Sequence, residues 1–107
     1  MIRESTAKYS NVVVEGWYGL TYEFCRKNDI DVIVKGLRAV TDFDYELQMA
    51  QANYQGAQIE TMFMATAPAY SFLSSSLVKE IALFDGDVSP MVPSNVGDAL
   101  RIRMAGK

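Results

Sequence analysis

Residues 30–65, IDVIVKGLRAVTDFDYELQMAQANYQGAQIETMFMA, carry two short apolar runs separated by a longer amphipathic stretch. The first run, IDVIV at 30–34, is rich in β-branched residues and predicts a strand that Gly36 ends. The second run, IETMFMA at 59–65, predicts a further strand. A strand, a helix and a strand in succession indicate a parallel βαβ unit with a right-handed crossover. The sequence therefore predicts an α/β fold built on a parallel sheet.

The stretch between these strands has the periodicity of an amphipathic helix. Its apolar residues recur on one face, at Phe43, Leu47, Ala50 and Tyr54. Thr41-Asp42 offers an N-cap and Gly56 offers a stop, and these two signals set the predicted bounds of the helix.

The flanking segments continue the alternation of helices and strands. We predict the end of a helix in residues 1–9, a strand at Val12–Val14, a helix at Leu20–Lys27, a helix after Pro68 that Gly86 stops, and a last helix at Asn95–Met104. The predicted order is α-β-α-β-α-β-α-α. Ligands of such open parallel sheets bind beyond the carboxyl ends of the strands, where KGLRAV at 35–40 and TAPAYSFLSSS at 66–76 fall.

The composition excludes several classes of function. The 107 residues carry a net charge of −3 without a cluster of Lys or Arg, which argues against nucleic acid or an anionic membrane as a partner. The apolar runs are too short to span a membrane, and residues 1–5 lack the apolar core of a signal peptide. Cys25 is the single cysteine, so we expect no intrachain disulfide and a cytoplasmic location. The absence of histidine excludes a zinc site built on it and a Ser-His-Asp triad.

Three serines, Ser74, Ser75 and Ser76, lie where the loop after the strand at 59–65 turns into a helix. The first N–H groups of a helix lack internal partners and carry a partial positive charge, so hydroxyl groups beside them suit a phosphate. The alternative is a plain N-cap with two further polar residues. Neither Ser75 nor Ser76 as the cap gives a capping box, because Val78 or Lys79 follows three places later.

Two cations, Lys35 and Arg38, flank Gly36 where the strand at 30–34 ends. Glycine lets a backbone approach a ligand closely, and both cations suit a phosphate. The simpler interpretation is a basic turn in solvent.

Acidic and aromatic residues near this turn also have two interpretations. The carboxylates of Asp42, Asp44 and Glu46 suit a helix N-terminus. Glu46 in addition has the spacing to face the cleft, where it would accept hydrogen bonds from a ribose or pair with Arg38. The aromatic side chains of Trp17, Tyr18 and Tyr22 form either a wall for a ligand or a hydrophobic lid. The methionines Met49, Met62 and Met64 are expected in the core.

The stretches KGLRAVTDFDYELQMAQAN at 35–53 and YSFLSSSLVKEIA at 70–82, followed by GDVS and VP, resemble the motifs of bacterial phosphopantetheine adenylyltransferases. The resemblance runs from about Ile2 to Met104. It implies a Rossmann-like nucleotidyltransferase fold, of which residues 1–107 form the C-terminal two-thirds of a single domain without its N-terminal strands. It also implies transfer of AMP from ATP to 4′-phosphopantetheine with Mg²⁺, which gives dephospho-coenzyme A and pyrophosphate in coenzyme A biosynthesis. The family further implies a hexamer and feedback binding of coenzyme A.

The same resemblance implies a set of ligand contacts. Lys35 binds the phosphate of phosphopantetheine, at a position where many family members have Arg, and Thr21 contacts the pantetheine arm. The ATP contacts are Gly36, Leu37, Arg38, Glu46, Tyr70, Ser71, Phe72, Leu73, Ser74, Ser75 and Ser76. No enzyme nucleophile or protein metal ligand is implied, because the pantetheine phosphate attacks the α-phosphate directly and the protein supplies positioning and charge.

Family members begin with a strand and a Thr-x-Gly-His segment whose Thr and His bind ATP, and this sequence does not contain that segment. We therefore expect no catalytic residue in this chain and a bare sheet edge at Ile30–Val34. We also expect the isolated chain to be loosely packed or aggregating, with little or no activity. The alternatives are a non-catalytic nucleotide-binding or subunit-interaction module, and a generic flavodoxin-like module with other ligands.

Overall fold

A computed structural model describes residues 1–105, apart from the side chains of residues 40 and 41. Its elements are α1 (Ile2–Ser5), α2 (Thr21–Lys27), β1 (Val32–Leu37), α3 (Val40–Ala57), β2 (Glu60–Ala65), a 3-10 turn (Pro68–Tyr70), α4 (Ser75–Leu83) and α5 (Ser94–Met104). They form two compact units. The strand unit is Gly16–Ser71, and the helical unit is Met1–Glu15 together with the chain from Phe72 onward.

The strand unit is built on the predicted parallel βαβ arrangement. β1 and β2 are parallel, with Val32 opposite Glu60 and Leu37 opposite Ala65. The prediction that Gly36 ends the first strand is wrong, because Gly36 lies inside β1 opposite Met64. The ladder of backbone hydrogen bonds extends to Leu37 and so outweighs the weak strand preference of glycine.

The two faces of this sheet differ in burial. On one face the half-buried side chains of Ile33, Lys35 and Leu37 point toward α3, where the Phe43 ring meets the Phe63 ring edge-on at 5.7 Å. We call the other face the open sheet face. It carries four apolar side chains that are 41% to 61% exposed: Val32, Val34, Met62 and Met64. Two of the methionines predicted as core residues therefore lie on an exposed surface.

The predicted bounds of the long helix are shifted at both ends. α3 begins with Ala39 as its N-cap, so Asp42 lies inside the helix, and the side chain of Thr41 is outside the described residues. The helix continues past Gly56 and ends at Gln58, which adopts the left-handed conformation with φ 57°. Glycine is needed at position 56 for close packing and not to stop the helix, because a Cβ there would lie 2.7 Å from the Tyr22 ring of α2.

The predicted strand at Val12–Val14 is wrong, because β1 and β2 form the single sheet among residues 1–105 and this segment has no ladder partner there. An extended segment becomes a strand only when a neighbour accepts its backbone hydrogen bonds. The observed order therefore lacks the first of the three predicted strands. At the start of the chain, α1 is a single turn rather than a helix reaching residue 9.

The helical unit has a small core around Val78 of α4 and Val88 of the following loop. Asn95 joins α5 to the start of the chain: its Nδ2 donates to the Met1 carbonyl at 3.1 Å, and its Oδ1 accepts from Ser5 Oγ at 3.2 Å. α5 begins one residue before the predicted start. None of the helices in the described residues combines the length and the apolarity that a membrane crossing needs.

Candidate functional site

The carboxyl ends of β1 and β2 bring the KGLRAV stretch beside the first residues of the TAPAYSFLSSS stretch, within the strand unit. The Leu37 carbonyl accepts a hydrogen bond from the Thr66 backbone N–H at 2.9 Å, so the KGLR turn lies beside the loop that follows β2. A Cβ on Gly36 would meet Thr66 Oγ1 at an ordinary 3.7 Å. Packing within the chain therefore does not require glycine here, and its small size leaves room for a ligand beside the exposed backbone.

Lys35 forms an ion pair with Glu46 of α3, with Nζ 3.2 Å from Oε2. Strand alternation points Lys35 to the face that α3 covers, and Glu46 lies on the facing side of that helix. The Lys35 side chain is 42% exposed and that of Glu46 is 22% exposed, so Lys35 and part of the Glu46 side chain are open to a ligand from solvent. The structure thus brings together a predicted phosphate-binding residue and a predicted adenosine-binding residue.

The Glu46 carboxylate retains unused hydrogen-bonding capacity. Its Oε2 atom is buried, yet it forms no hydrogen bond of good geometry with the residues that the structure describes, even though the Lys35 ammonium is at salt-bridge distance. The pair is therefore held by charge at a short distance and not by a well-aligned hydrogen bond, because hydrogen bonds are directional and ion pairs are less so. A buried carboxylate oxygen without a donor favours a ligand that brings an O–H or N–H group.

Arg38 pairs with Asp42 and not with Glu46. Its Nε lies 3.2 Å from Asp42 Oδ2, in an i, i+4 arrangement where the chain enters α3. The possible Arg38–Glu46 pair is therefore not formed. The spacing of four residues between Arg38 and Asp42 was the sequence signal for this contact, since such pairs face each other at a helix start.

The serine run caps α4 through its first member. Ser74 is the N-cap, and its Oγ accepts from the Leu77 backbone N–H at 3.1 Å. Ser75 and Ser76, neither of which gave a capping box in the sequence, are therefore the first two residues of the helix, with the Ser76 hydroxyl 3.1 Å from that of Ser74. Lys79 then falls in the second turn. One serine is explained by capping, and the Ser75 side chain is exposed.

The residues just before the serine run, from Tyr70 to Phe72, are exposed. Tyr70 ends the 3-10 turn, and Ser71 closes it by donating from Oγ to the Pro68 carbonyl at 2.9 Å. Tyr70 and Phe72 are at least half exposed. Tyr70 and Ser71 belong to the strand unit, whereas Phe72, Leu73 and the serines belong to the helical unit.

The aromatic residues after residue 16 mainly form a lid on α2. The Trp17 ring packs on the Phe24 ring at 5.4 Å, and its Nε1 donates to the Leu20 carbonyl. The Tyr22 ring is half-buried against Gly56, while Tyr18 is fully exposed. This arrangement favours the hydrophobic lid for Trp17 and Tyr22. Thr21 is the exposed first residue of α2, and no described contact joins it to Lys35.

One polar residue of this region was missed in the sequence. Thr61 of β2 has a buried hydroxyl without a hydrogen bond in the described part of the chain, and it lies opposite Ile33 on the face that α3 covers. The signal was present, because a threonine two residues before Phe63 in a strand must share its face.

Three known proteins that resemble this chain in sequence share one name. A family profile described as cytidylyltransferase-like matches residues 1–81. A Streptomyces coelicolor protein named phosphopantetheine adenylyltransferase is 55% identical over 107 residues, which cover 100% of this chain and 67% of the relative. Proteins of the same name from Thermobifida fusca and Frankia casuarinae are 53% and 57% identical, over 98% and 97% of this chain and 64% of each relative. The chain thus spans about two thirds of the length of these curated relatives, and their shared name agrees with the resemblance in the two motifs.

Proposed function

The chain belongs to the cytidylyltransferase-like family, and from this premise we propose that it takes part in adenylyl transfer from ATP to 4′-phosphopantetheine. The products are dephospho-coenzyme A and pyrophosphate, a step of coenzyme A biosynthesis. The names of the relatives support this proposal, and so does the match of KGLRAV and YSFLSSS to the family motifs. The proposal concerns the part of that machinery that this chain contains.

One observation of the structure carries the proposal. Two cations, Lys35 and Arg38, lie at the carboxyl end of a parallel strand, beside the loop of a second strand end. In open parallel sheets this is where ligands bind, and cations there suit phosphate groups. We assign Lys35 to the phosphate of phosphopantetheine, Gly36, Leu37 and Arg38 to ATP, and Glu46 to its adenosine.

The remaining assignments follow the family motifs. We assign Thr21 to the pantetheine arm. The stretch from Tyr70 to Ser76 contributes further ATP contacts, with free N–H groups and hydroxyls at the start of α4 near the phosphates. These residues bind and orient, and the attacking group is the pantetheine phosphate itself, so the chain needs no nucleophile of its own.

Magnesium enters this proposal with the nucleotide. Within the described residues no three His, Cys, Asp or Glu side chains form a group that could hold a metal ion. Mg²⁺ often keeps several waters and binds through substrate phosphates plus one or two carboxylates. We therefore assign the ion to the ATP phosphates, where it would neutralise charge.

A second candidate is a nucleotide-binding or subunit-interaction module without catalysis. It would use the same strand-end cations and the same start of α4 without the transfer step. Titration with 4′-phosphopantetheine separates the two candidates, because only the first requires this ligand to bind, and turnover would exclude the second outright.

The test is titration of the chain with Mg²⁺–ATP and with 4′-phosphopantetheine by calorimetry, followed by an assay of pyrophosphate release. We expect both ligands to bind and pyrophosphate release to be little or none for this chain alone.

Lys35→Met should weaken phosphopantetheine binding by about tenfold or more, because a hydrogen bond to a charged group is worth roughly 1.5–3 kcal/mol. Lys35→Arg should retain binding. Lys27→Met, on the exposed side of α2, is the control. Failure of both ligands to bind would overturn the proposal, and turnover at a normal rate would overturn the second candidate.

The cellular setting is part of the same proposal. A single buried thiol, Cys25, suits the reducing cytoplasm. A hexameric assembly and coenzyme A feedback stay predictions from the family resemblance, and sedimentation and coenzyme A titration would test them.

A further inference from the structure

Both cations of the KGLR turn are already paired with carboxylates of one helix. Lys35 pairs with Glu46 and Arg38 pairs with Asp42, each at 3.2 Å. Asp42 and Glu46 are four residues apart, so they lie on the same face of α3. α3 therefore presents the cations with anions before a phosphate arrives.

Glu46 differs from Asp42 in having a buried oxygen that lacks a hydrogen bond of good geometry. That oxygen is the same Oε2 atom that lies beside the Lys35 ammonium. The two oxygens of the carboxylate share one charge, so a ligand donor at the other oxygen, Oε1, would draw negative charge away from Lys35.

We propose that Glu46 is a positioning residue for Lys35, and that their ion pair couples the binding of ATP to the binding of 4′-phosphopantetheine. This rests on the proposed function, which gives Glu46 to the adenosine and Lys35 to the phosphate. Without a nucleotide, Glu46 holds the ammonium and competes with the incoming phosphate. When the nucleotide donates hydrogen bonds to Glu46, the ion pair with Lys35 weakens and Lys35 binds phosphate more strongly.

The coupling acts equally in both directions, as linkage requires. Phosphopantetheine that takes Lys35 leaves Glu46 to the nucleotide, so each ligand tightens the binding of the other. The expected size is modest because Lys35 is 42% exposed and partly exposed ion pairs are weak. We expect each ligand to strengthen the other by about two- to fivefold.

Two matched variants test this. Glu46→Gln keeps the shape of the side chain and removes its charge. Asp44→Asn removes one charge from the same helix turn, and Asp44 is exposed with no hydrogen bond or ion pair among the described residues. Both variants of the 107-residue chain are titrated with 4′-phosphopantetheine, with and without Mg²⁺ and α,β-methylene-ATP, which cannot transfer its adenylyl group.

For the wild type and for Asp44→Asn, we expect the nucleotide analogue to tighten phosphopantetheine binding by about two- to fivefold. For Glu46→Gln, we expect phosphopantetheine alone to bind more tightly than it binds the wild type, with no further gain from the analogue. Glu46→Asp should restore part of the coupling. If both ligands bind the wild type independently, this inference fails while the proposed function stands. If neither ligand binds, both fail.

A measurement without ligands checks the ion pair itself. The rate at which an acetylating reagent modifies the Lys35 amine should rise about two- to fivefold in Glu46→Gln and stay unchanged in Asp44→Asn. An unchanged rate at Lys35 in Glu46→Gln would mean that the pair does not form in solution, and it would overturn the inference whatever the titrations give.

Discussion

Ser74 caps α4 because of where the chain enters the helix. Its backbone is extended, with φ −143° and ψ 157°, which turns Oγ toward the Leu77 N–H. Three consecutive serines predict that a cap exists, since serine is among the preferred N-cap residues. They do not identify which serine is the cap, because that depends on the path of Phe72 and Leu73 before the helix.

Substitution of Ser74 should loosen the start of α4. Ser74→Ala removes the acceptor for the Leu77 N–H, and a lost N-cap costs about 1 kcal/mol. We expect hydrogen exchange of the Leu77 amide to accelerate about fivefold. Ser75→Ala is the matched control, because Ser75 is exposed and makes no side-chain hydrogen bond among the described residues. Equal acceleration in both variants would contradict the assignment of the cap.

The ion pairs at Lys35 and Arg38 mark the limit of what the residues alone predict about the site. The sequence indicates a basic turn followed by an acidic helix start, and the structure contains both. The partner of Lys35 could not be assigned, because the ladder places Gly36 inside β1 and so moves the end of the strand. That shift puts Lys35 on the face covered by α3 and leaves Arg38 next to Asp42.

Gly56 lies in the interior of α3 because α2 packs closely there. The Tyr22 ring occupies the space of a Cβ, and Arg26 Nη2 donates to the Gly56 carbonyl at 2.6 Å. From sequence alone, a glycine near the end of an amphipathic stretch predicts a helix stop. Close packing by a residue about thirty positions away in sequence is not visible in such a local pattern.

Alanine at two helical glycines should have opposite effects. Gly56→Ala would force a Cβ to 2.7 Å from the Tyr22 ring, and overpacking costs about 1–3 kcal/mol. Gly97→Ala in α5 meets Val92 at an ordinary 3.8 Å and should stabilise its helix by about 0.5–1 kcal/mol. Hydrogen exchange should therefore accelerate at the end of α3 in the first variant and slow in α5 in the second. Slower exchange in both would contradict the close packing of Tyr22.

The loop after α4 contains a carboxylate whose ionised form is favoured. The Ser89 backbone N–H donates to Asp87 Oδ1 at 2.9 Å and, with a further hydrogen bond from the Ser89 side chain, lowers the pKa of Asp87 below its ordinary value of 3.8. A carboxylate with a lowered folded-state pKa stabilises the loop above pH 3.8, and this contribution is lost as the pH falls through the folded-state pKa.

A carbon-13 titration of the Asp87 carboxyl should therefore give a lower pKa in the chain than in an unstructured peptide of residues 84–92. Ser89→Ala should raise the pKa only partway, because the backbone hydrogen bond is the larger cause and remains. Identical pKa values of Asp87 in the chain and in the peptide would contradict the hydrogen bonds from Ser89 to its carboxylate.

The strands differ in how well the sequence predicts them. The apolar run IETMFMA gives β2 to within one residue, since it has β1 as a parallel neighbour. The equally apolar Val12–Val14 forms no strand among the described residues, because strand formation depends on a partner as well as on propensity. The parallel βαβ arrangement was therefore predictable and the number of strands was not.

The open sheet face is the feature of the whole molecule that most affects its behaviour in solution. Parallel sheets normally have both faces covered, yet Val34 and Met62 are 61% and 58% exposed. Exposed apolar strands favour association. We expect sedimentation velocity to detect species larger than a monomer as the concentration rises, and fewer of them in a Val34→Thr, Met62→Thr double variant. A monomer with a sharp, reversible thermal transition would contradict this.

Under the proposed function, the residues that bind ATP and 4′-phosphopantetheine lie at the strand ends and at the start of α4. Hydrogen exchange read by mass spectrometry, with and without Mg²⁺–ATP and 4′-phosphopantetheine, is the first experiment to test this assignment. We expect slower exchange in peptides covering residues 33–38 and 66–77, with residues 94–104 of α5 unchanged. Unchanged exchange in both of the first two regions, or protection confined to α5, would contradict it.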